Sequence, residues 1–229
     1  MGKPKVLTVL SSHATGWYLP EFAHPYEVLA PETELVTVSP KGGATIVDPT
    51  SIQLYKDDAY SIEFLNTKQK TWTETEKLEK YVGRAKEFAA ILYVGGFGPM
   101  WDIAEDATSI KLIREFYDSG LIVATVCHGS IALAHVKLDD GSYLIDGEKV
   151  TGFSNEEVAS FNSNFEEIPV PYHLEDALEK SSGGNYEKAG APWESKVIVS
   201  STKKLITGEN PASAKPLAVE LLKMIKASA

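Results

Sequence analysis

The chain holds one cysteine in 229 residues, so no disulfide can close within it. That scarcity fits a reducing compartment, and the cytoplasm or nucleus is the expected setting. No run approaches the roughly 18–20 apolar residues that a membrane helix requires. The opening residues lead straight into a strand-like segment in place of a secretory leader. Basic residues are also short, with 22 Lys and Arg against 32 Asp and Glu and a net charge of -10. Such a surface repels a phosphate backbone, which sets nucleic acid aside as a partner. Hydrophobic residues at 43% and charged residues at 24% are ordinary globular usage, so wholesale disorder and a fibrous repeat are excluded. With no Pro/Ser linker and no internal repeat, residues 1–229 are expected to form one domain.

What the chain does have is an alternation of short apolar runs and amphipathic segments. Residues 5–10 and 34–39 are β-rich, and the second run is closed by Pro40 and Gly42-Gly43. Residues 90–94 stop at Gly95-Gly96, and residues 121–126 stop at Cys127-His128-Gly129. Both of these later runs are apolar on both faces, as central strands of a parallel sheet must be. Between them Ile110, Ile113, Phe116 and Tyr117 follow a helical period, and Gly120 stands where a C-terminal cap belongs. A strand, a helix and a parallel strand make a right-handed βαβ unit. Residues 196–200 and 204–207 read as strands around a turn, and Asn210-Pro211 opens a closing helix faced by Leu217, Leu221, Met224 and Ile225. The pattern predicts a flavodoxin-like, doubly wound α/β sandwich with a mostly parallel sheet and helices on both faces. Residues 49–81 are polar and partly helical, and are expected to form a lid-like insertion capping one end of the sheet. A further helix is expected at 174–180.

Ligands of such sheets bind at the carboxyl ends of the strands, beside the point where strand order reverses. Cys127 falls there, at a strand-to-helix turn. Helix N-termini favour thiolate and can lower a cysteine pKa to roughly 3.5–7.5, so Cys127 is expected to be a nucleophile in preference to a small core residue. Gly95-Gly96-Phe97-Gly98 lacks the spacing of a phosphate-binding loop, but a glycine turn beside a nucleophile can aim N–H groups at an oxyanion. Glu21 and His24 form a Glu-x-x-His pair. Without a third ligand, and with Pro25 disturbing the helix, the pair is not expected to hold a metal. His173-Leu174-Glu175 has the order of a glutaminase histidine and carboxylate, but it also opens an amphipathic helix, and the structural role is preferred.

Jointly, Glu-x-x-His-Pro at 21–25, Gly-Gly-x-Gly at 95–98 and Val-Cys-His-Gly at 126–129 resemble the ThiJ/PfpI superfamily, whose fold is class I glutamine-amidotransferase-like. Val-Thr-Gly-Phe-Ser-Asn-Glu-Glu at 150–157, Leu-Glu-Asp-Ala-Leu at 174–178 and Thr-Gly-Glu-Asn-Pro-Ala-Ser at 207–213 are similar to its branch of heat-shock-type chaperones and glutathione-independent glyoxalases, glyoxalase III. The resemblance implies Cys127 as nucleophile, His128 as its base and Glu21 close to the sulfur. It also implies a carboxylate orienting His128, assigned to Glu157 over Glu156, and an oxyanion site at the N–H groups of Gly96 and His128. Phe97 stands where this branch often has histidine, and Ser130 replaces a common proline.

The activity so implied is conversion of methylglyoxal and related 2-oxoaldehydes to D-lactate through a Cys127 hemithioacetal, with no metal, nucleotide or glutathione. The partner is then a small 2-oxoaldehyde, and the superfamily habit implies a homodimer. Two rivals come with the same family. One is a holdase chaperone binding unfolded client proteins through an apolar patch of Tyr18, Phe22, Phe97, Met100 and Trp101. The other is a redox sensor that oxidises Cys127 beside Glu21.

Overall fold

The computed structural model describes residues 2–165 and 167–228. Among them, seven strands form one sheet: β1 (Lys5–Val9), β2 (Glu34–Ser39), β3 (Glu76–Lys77), β4 (Ala90–Tyr93), β5 (Ile122–Val126), β6 (Val197–Val199) and β7 (Leu205–Gly208). Their order is β3-β2-β1-β4-β5-β7-β6. All pairings are parallel except β6 with β7, which form the antiparallel hairpin expected from the turn between them. Strand order reverses between β1 and β4, which opens a crevice at their carboxyl ends.

The helices of the described residues are α1 (Leu19–Leu29), α2 (Pro49–Leu54), α3 (Ala59–Thr67), α4 (Lys70–Thr73), α5 (Pro99–Asp102), α6 (Ala107–Asp118), α7 (Ile131–Ala134), α8 (Asn155–Asn162), α9 (Leu174–Ser181) and α10 (Ala214–Ala227). Every residue of β4 and β5 is buried, so helices cover the sheet on both faces. α1 packs on α10, while α6 packs on α7 and α7 on α9. Local chemistry sets the ends of α6. Asp106 caps its first turn by accepting from Ser109 N–H at 2.7 Å. Gly120, at φ +73°, closes the last turn: its N–H reaches Tyr117 O at 3.0 Å, and Leu121 N–H reaches Phe116 O at 2.9 Å. The strand β5 therefore starts at a fixed point and delivers Cys127 to the crevice.

Residues 49–81 are more than a lid. α3 lies on α1, and Phe64 packs against Phe22 with ring centroids 5.1 Å apart. Leu10, Trp17, Leu19, Val47 and Val94 complete this second apolar cluster. The segment also contributes β3, the edge strand beside β2. Its polar sequence reflects outward-facing positions around a few buried aromatic anchors. Among the described residues, no helix is long and apolar enough to cross a membrane.

Candidate active site

β5 ends at Cys127, which sits at φ +55°, in the left-handed region that a side-chain-bearing residue rarely occupies. The chain then turns through a 3₁₀ segment, Cys127–Ser130, into α7. Such a strained strand-to-helix turn lifts the side chain at its apex out of the sheet and into the crevice. Gly129 is required by this turn, because a Cβ there would stand 2.6 Å from Tyr93 O.

Two other segments meet the sulfur. α1 brings Glu21, which is fully buried, and neither carboxyl oxygen has a hydrogen-bond partner among the described residues. Burial pushes the Glu21 carboxyl well above the usual range; the facing Cys127 thiol and Gly96 N–H pull it back only in part. The Cys127 thiol is also pushed well above its ordinary value, first by burial and then by Glu21. Each group would repel a negative charge on the other, so both rest neutral. This corrects the expectation of a resting thiolate. A helix N-terminus contributes about 0.3–2 kcal/mol, whereas drying a charge costs several kcal/mol. Here the dry pocket wins.

His128 is buried too, and its Nδ1 lies 3.7 Å from Cys127 Sγ. Burial, and secondarily His173, lower its pKa to about 3, so the imidazole is a neutral base. Its ring lies between Phe97, at 4.6 Å between centroids, and Phe153, at 4.8 Å. Phe97, where the branch often has histidine, thus serves as an apolar wall against the base. The N–H of His128 faces the Cys127 sulfur and that of Gly96 faces Glu21. Gly95 allows the convergence, since a Cβ there would lie 2.7 Å from Cys127 Cβ and still closer to Glu21 Oε2.

The structure does not give Glu157 the role of orienting His128. Glu157 Oε2 accepts from Ser154 N–H at 2.9 Å and Ser154 Oγ at 3.0 Å. Its Oε1 accepts from Trp193 N–H at 3.0 Å and Asn210 Nδ2 at 2.8 Å. Among the described residues, the His128 imidazole has Cys127 Sγ as its one hydrogen-bond partner. Glu156 is turned outward to Lys188 at 3.7 Å. His24 pairs with Asp58 at 2.7 Å, away from Glu21. Glu175 accepts from Asn155 N–H at 2.6 Å and ties α9 to α8, as the structural reading of that segment expects.

The pocket over the sulfur is narrow, with a cavity volume of about 10 Å³, and is walled by Tyr18, Phe97, Phe153, Phe161, Trp193 and Pro211. Phe153, Phe161 and Trp193 were not legible as site residues. A signal for the first was its place inside the motif at 150–157. The apolar patch expected at the surface does not form: Phe22, Phe97 and Met100 are buried, and Trp101 stacks on His13 at 4.6 Å.

Comparison with known proteins places this geometry. Probable glutathione-independent glyoxalase hsp3104 of Schizosaccharomyces pombe is 29% identical over 130 residues, 56% of this chain and 57% of that protein. The match thus spans little more than half the length of that curated relative. Glutathione-independent glyoxalase hsp3102 of the same yeast is 28% identical over 214 residues, 89% of this chain and 86% of that protein. Among solved structures, Rapid Encystment Protein 24 KDa (REP24) of Francisella tularensis superposes with a TM-score of 0.84 at 31% identity, covering 97% of this chain and 99% of that one. The model of the DJ-1/PfpI family matches residues 5–224, and the chain belongs to that family.

Proposed function

We propose that the protein is a glutathione-independent glyoxalase that converts a 2-oxoaldehyde such as methylglyoxal to the 2-hydroxy acid, with Cys127 as nucleophile. The observation that carries the reading is one neutral thiol, one neutral carboxylic acid and one neutral imidazole converging in a small dry pocket. At about 10 Å³ the pocket is far smaller than the roughly 300–1,000 Å³ of drug-sized sites, so it excludes a tripeptide conjugate and its walls must give way to admit even a small substrate. The names of the yeast relatives agree with it.

The three groups divide the reaction among them. Sγ adds to the aldehyde carbon as its proton passes to one oxygen of Glu21, while the other oxygen of Glu21 hands a proton to the aldehyde oxygen, so Glu21 and His128 both leave the step neutral. The hydrogen on that carbon must then leave as a proton. Neutral His128 is available to take it and return it to the adjacent carbon, through an enediol held by Glu21 and the N–H groups of Gly96 and His128. The thioester that results is opened by water. Its hydroxyl goes to the acyl carbon and its proton restores the thiol, so the sum is aldehyde plus water to hydroxy acid with no external oxidant. Purified protein given methylglyoxal without glutathione should form D-lactate, and Cys127→Ala should lose at least about a thousandfold in rate. D-lactate formation by folded Cys127→Ala at the wild-type rate would refute the assignment.

A further inference from the structure

Beside the pocket at the sulfur lies a second cavity of about 380 Å³, and the two share Tyr18, Phe161 and Trp193 as lining residues. The outer cavity adds Leu54, Tyr55 and Phe165, with Ser160 and Asn164 as its polar members. Aromatic contacts run unbroken from the catalytic ring to this outer space. One row goes from His128 to Phe97 at 4.6 Å, on to Phe161 at 5.3 Å and then to Phe165 at 4.8 Å. Another goes from His128 to Phe153 at 4.8 Å and on to Trp193 at 5.5 Å. Tyr18 and Tyr55, 6.0 Å apart, form the opposite side.

Among the described residues, Glu21 is the one acidic side chain lining either cavity and no Lys or Arg lines them, although the chain carries 22 Lys and Arg and 32 Asp and Glu. A methyl group leaves this outer space empty of substrate. An apolar or aromatic tail fills it and gains about 25 cal/mol for each Å² taken from water. A phosphorylated or cationic tail would lose its hydration there and meet no counter-charge. From these walls we infer that the outer cavity is a tail subsite, and that the preferred substrates are 2-oxoaldehydes bearing an aryl or branched alkyl group. The inference rests on the glyoxalase reading for the reaction, but not for the binding.

Two measurements separate the two claims. The first compares kcat/KM for phenylglyoxal and methylglyoxal in wild type, Phe165→Ala and Leu54→Asp. Each variant should lose about tenfold more on phenylglyoxal than on methylglyoxal, and equal losses on both aldehydes overturn the subsite. The second needs no chemistry: calorimetric titration of the folded wild-type protein with acetophenone and with acetone. Acetophenone should bind at least tenfold more tightly, and Phe165→Ala should remove most of that difference. If neither aldehyde is turned over but acetophenone binds in this way, the glyoxalase reading falls and the subsite stands. If acetophenone binds no better than acetone, the subsite falls whatever the turnover.

Discussion

Glu157 Oε1 accepts a hydrogen bond from Asn210 Nδ2 at 2.8 Å, and through it α8 is tied to the start of the closing helix. Asn210 in turn donates to Glu194 O at 2.7 Å and accepts from Ser213 N–H at 3.1 Å. With Trp193 N–H on the same carboxylate oxygen, three separate stretches of chain are held over the pocket by one buried side chain. The carboxylate is an organiser of the roof, and the base beneath it is fixed by aromatic rings.

Glu157→Gln replaces one of its acceptor oxygens with an amide that points its own hydrogens at existing donors. Hydrogen bonds to a charged group contribute about 1.5–3 kcal/mol each, and stranded donors add to the loss. The variant should unfold at lower urea by about 2–3 kcal/mol, with Trp193 more accessible to acrylamide quenching. The acid limb of the remaining activity should stay in place, whereas the alkaline limb should move down, because beyond burial the Glu157 charge raises the pKa of both Glu21 and Cys127. A shifted acid limb would restore a direct coupling of Glu157 to His128.

Glu21→Gln keeps the shape of the buried carboxylic acid and removes its transferable proton. Turnover should fall at least about a hundredfold, since a positioned acid or base contributes roughly 10²–10⁴. Glu21 also raises the thiol's pKa, so in the variant the pH midpoint for iodoacetamide alkylation of Cys127 should move down. The stability sign follows from the same burial. A carboxyl whose folded pKa lies above its unfolded value contributes stability below the unfolded pKa and loses it as pH rises through the folded one. Relative to wild type, Glu21→Gln should therefore gain stability between pH 5 and pH 8. Urea midpoints that stay parallel across that range would show the carboxyl to be ionised in the resting protein.

For His128 the sign is opposite. Its folded pKa of about 3 lies below the ordinary 6.5, so the unfolded chain takes up a proton first as pH falls. The stability that this neutral imidazole contributes is whole above about pH 6.5 and is lost progressively toward pH 3. Of its neighbours, Cys127 hydrogen-bonds the ring and His173 opposes its protonation. His128→Gln should flatten the acid side of the stability curve by up to about 1.4 kcal/mol per pH unit. Denaturant unfolding of both proteins at pH 5 and pH 7 decides it.

Gly95→Ala tests how tightly the acid and the thiol are pressed together. Its Cβ would stand 2.6 Å from Val126 O and 2.7 Å from Cys127 Cβ, and closer again to Glu21 Oε2. Something must move, and whichever group does is part of the catalytic set. A loss of about a hundredfold in kcat/KM is expected, since sub-ångström misplacement costs that much. Near-wild-type kcat/KM in this variant would mean that the pair has slack.

Much of this was legible in the chain itself. The two runs apolar on both faces became β4 and β5, and Cys127, His128, Gly96 and Glu21 meet because the crevice between β1 and β4 gathers the ends of those strands. Glu157 was assigned to His128 from the family resemblance alone, and its hydrogen bonds in the fold go elsewhere. Ser154-x-x-Glu157 is also a capping-box spacing, and that signal gave its true partners. The thiol's protonation was misread because a turn position says nothing of how dry the turn will be. Phe161, Phe165 and Trp193 lie in segments whose composition is polar; only tertiary packing brings their rings to one wall.

The uncharged funnel has a consequence for how the reaction ends. The aldehyde of the proposed reaction is neutral, so the field of a protein with net charge -10 would neither gather nor repel it, and added salt should leave its encounter rate unchanged. In the proposed reaction the hydroxy acid leaves as an anion. Among the described residues it finds no lysine or arginine along the walls to hold it, and a net charge of -10 opposes its return. If the protein is the proposed glyoxalase, release follows from the same poverty of charge that admits the substrate, and the carboxylate product should inhibit only weakly.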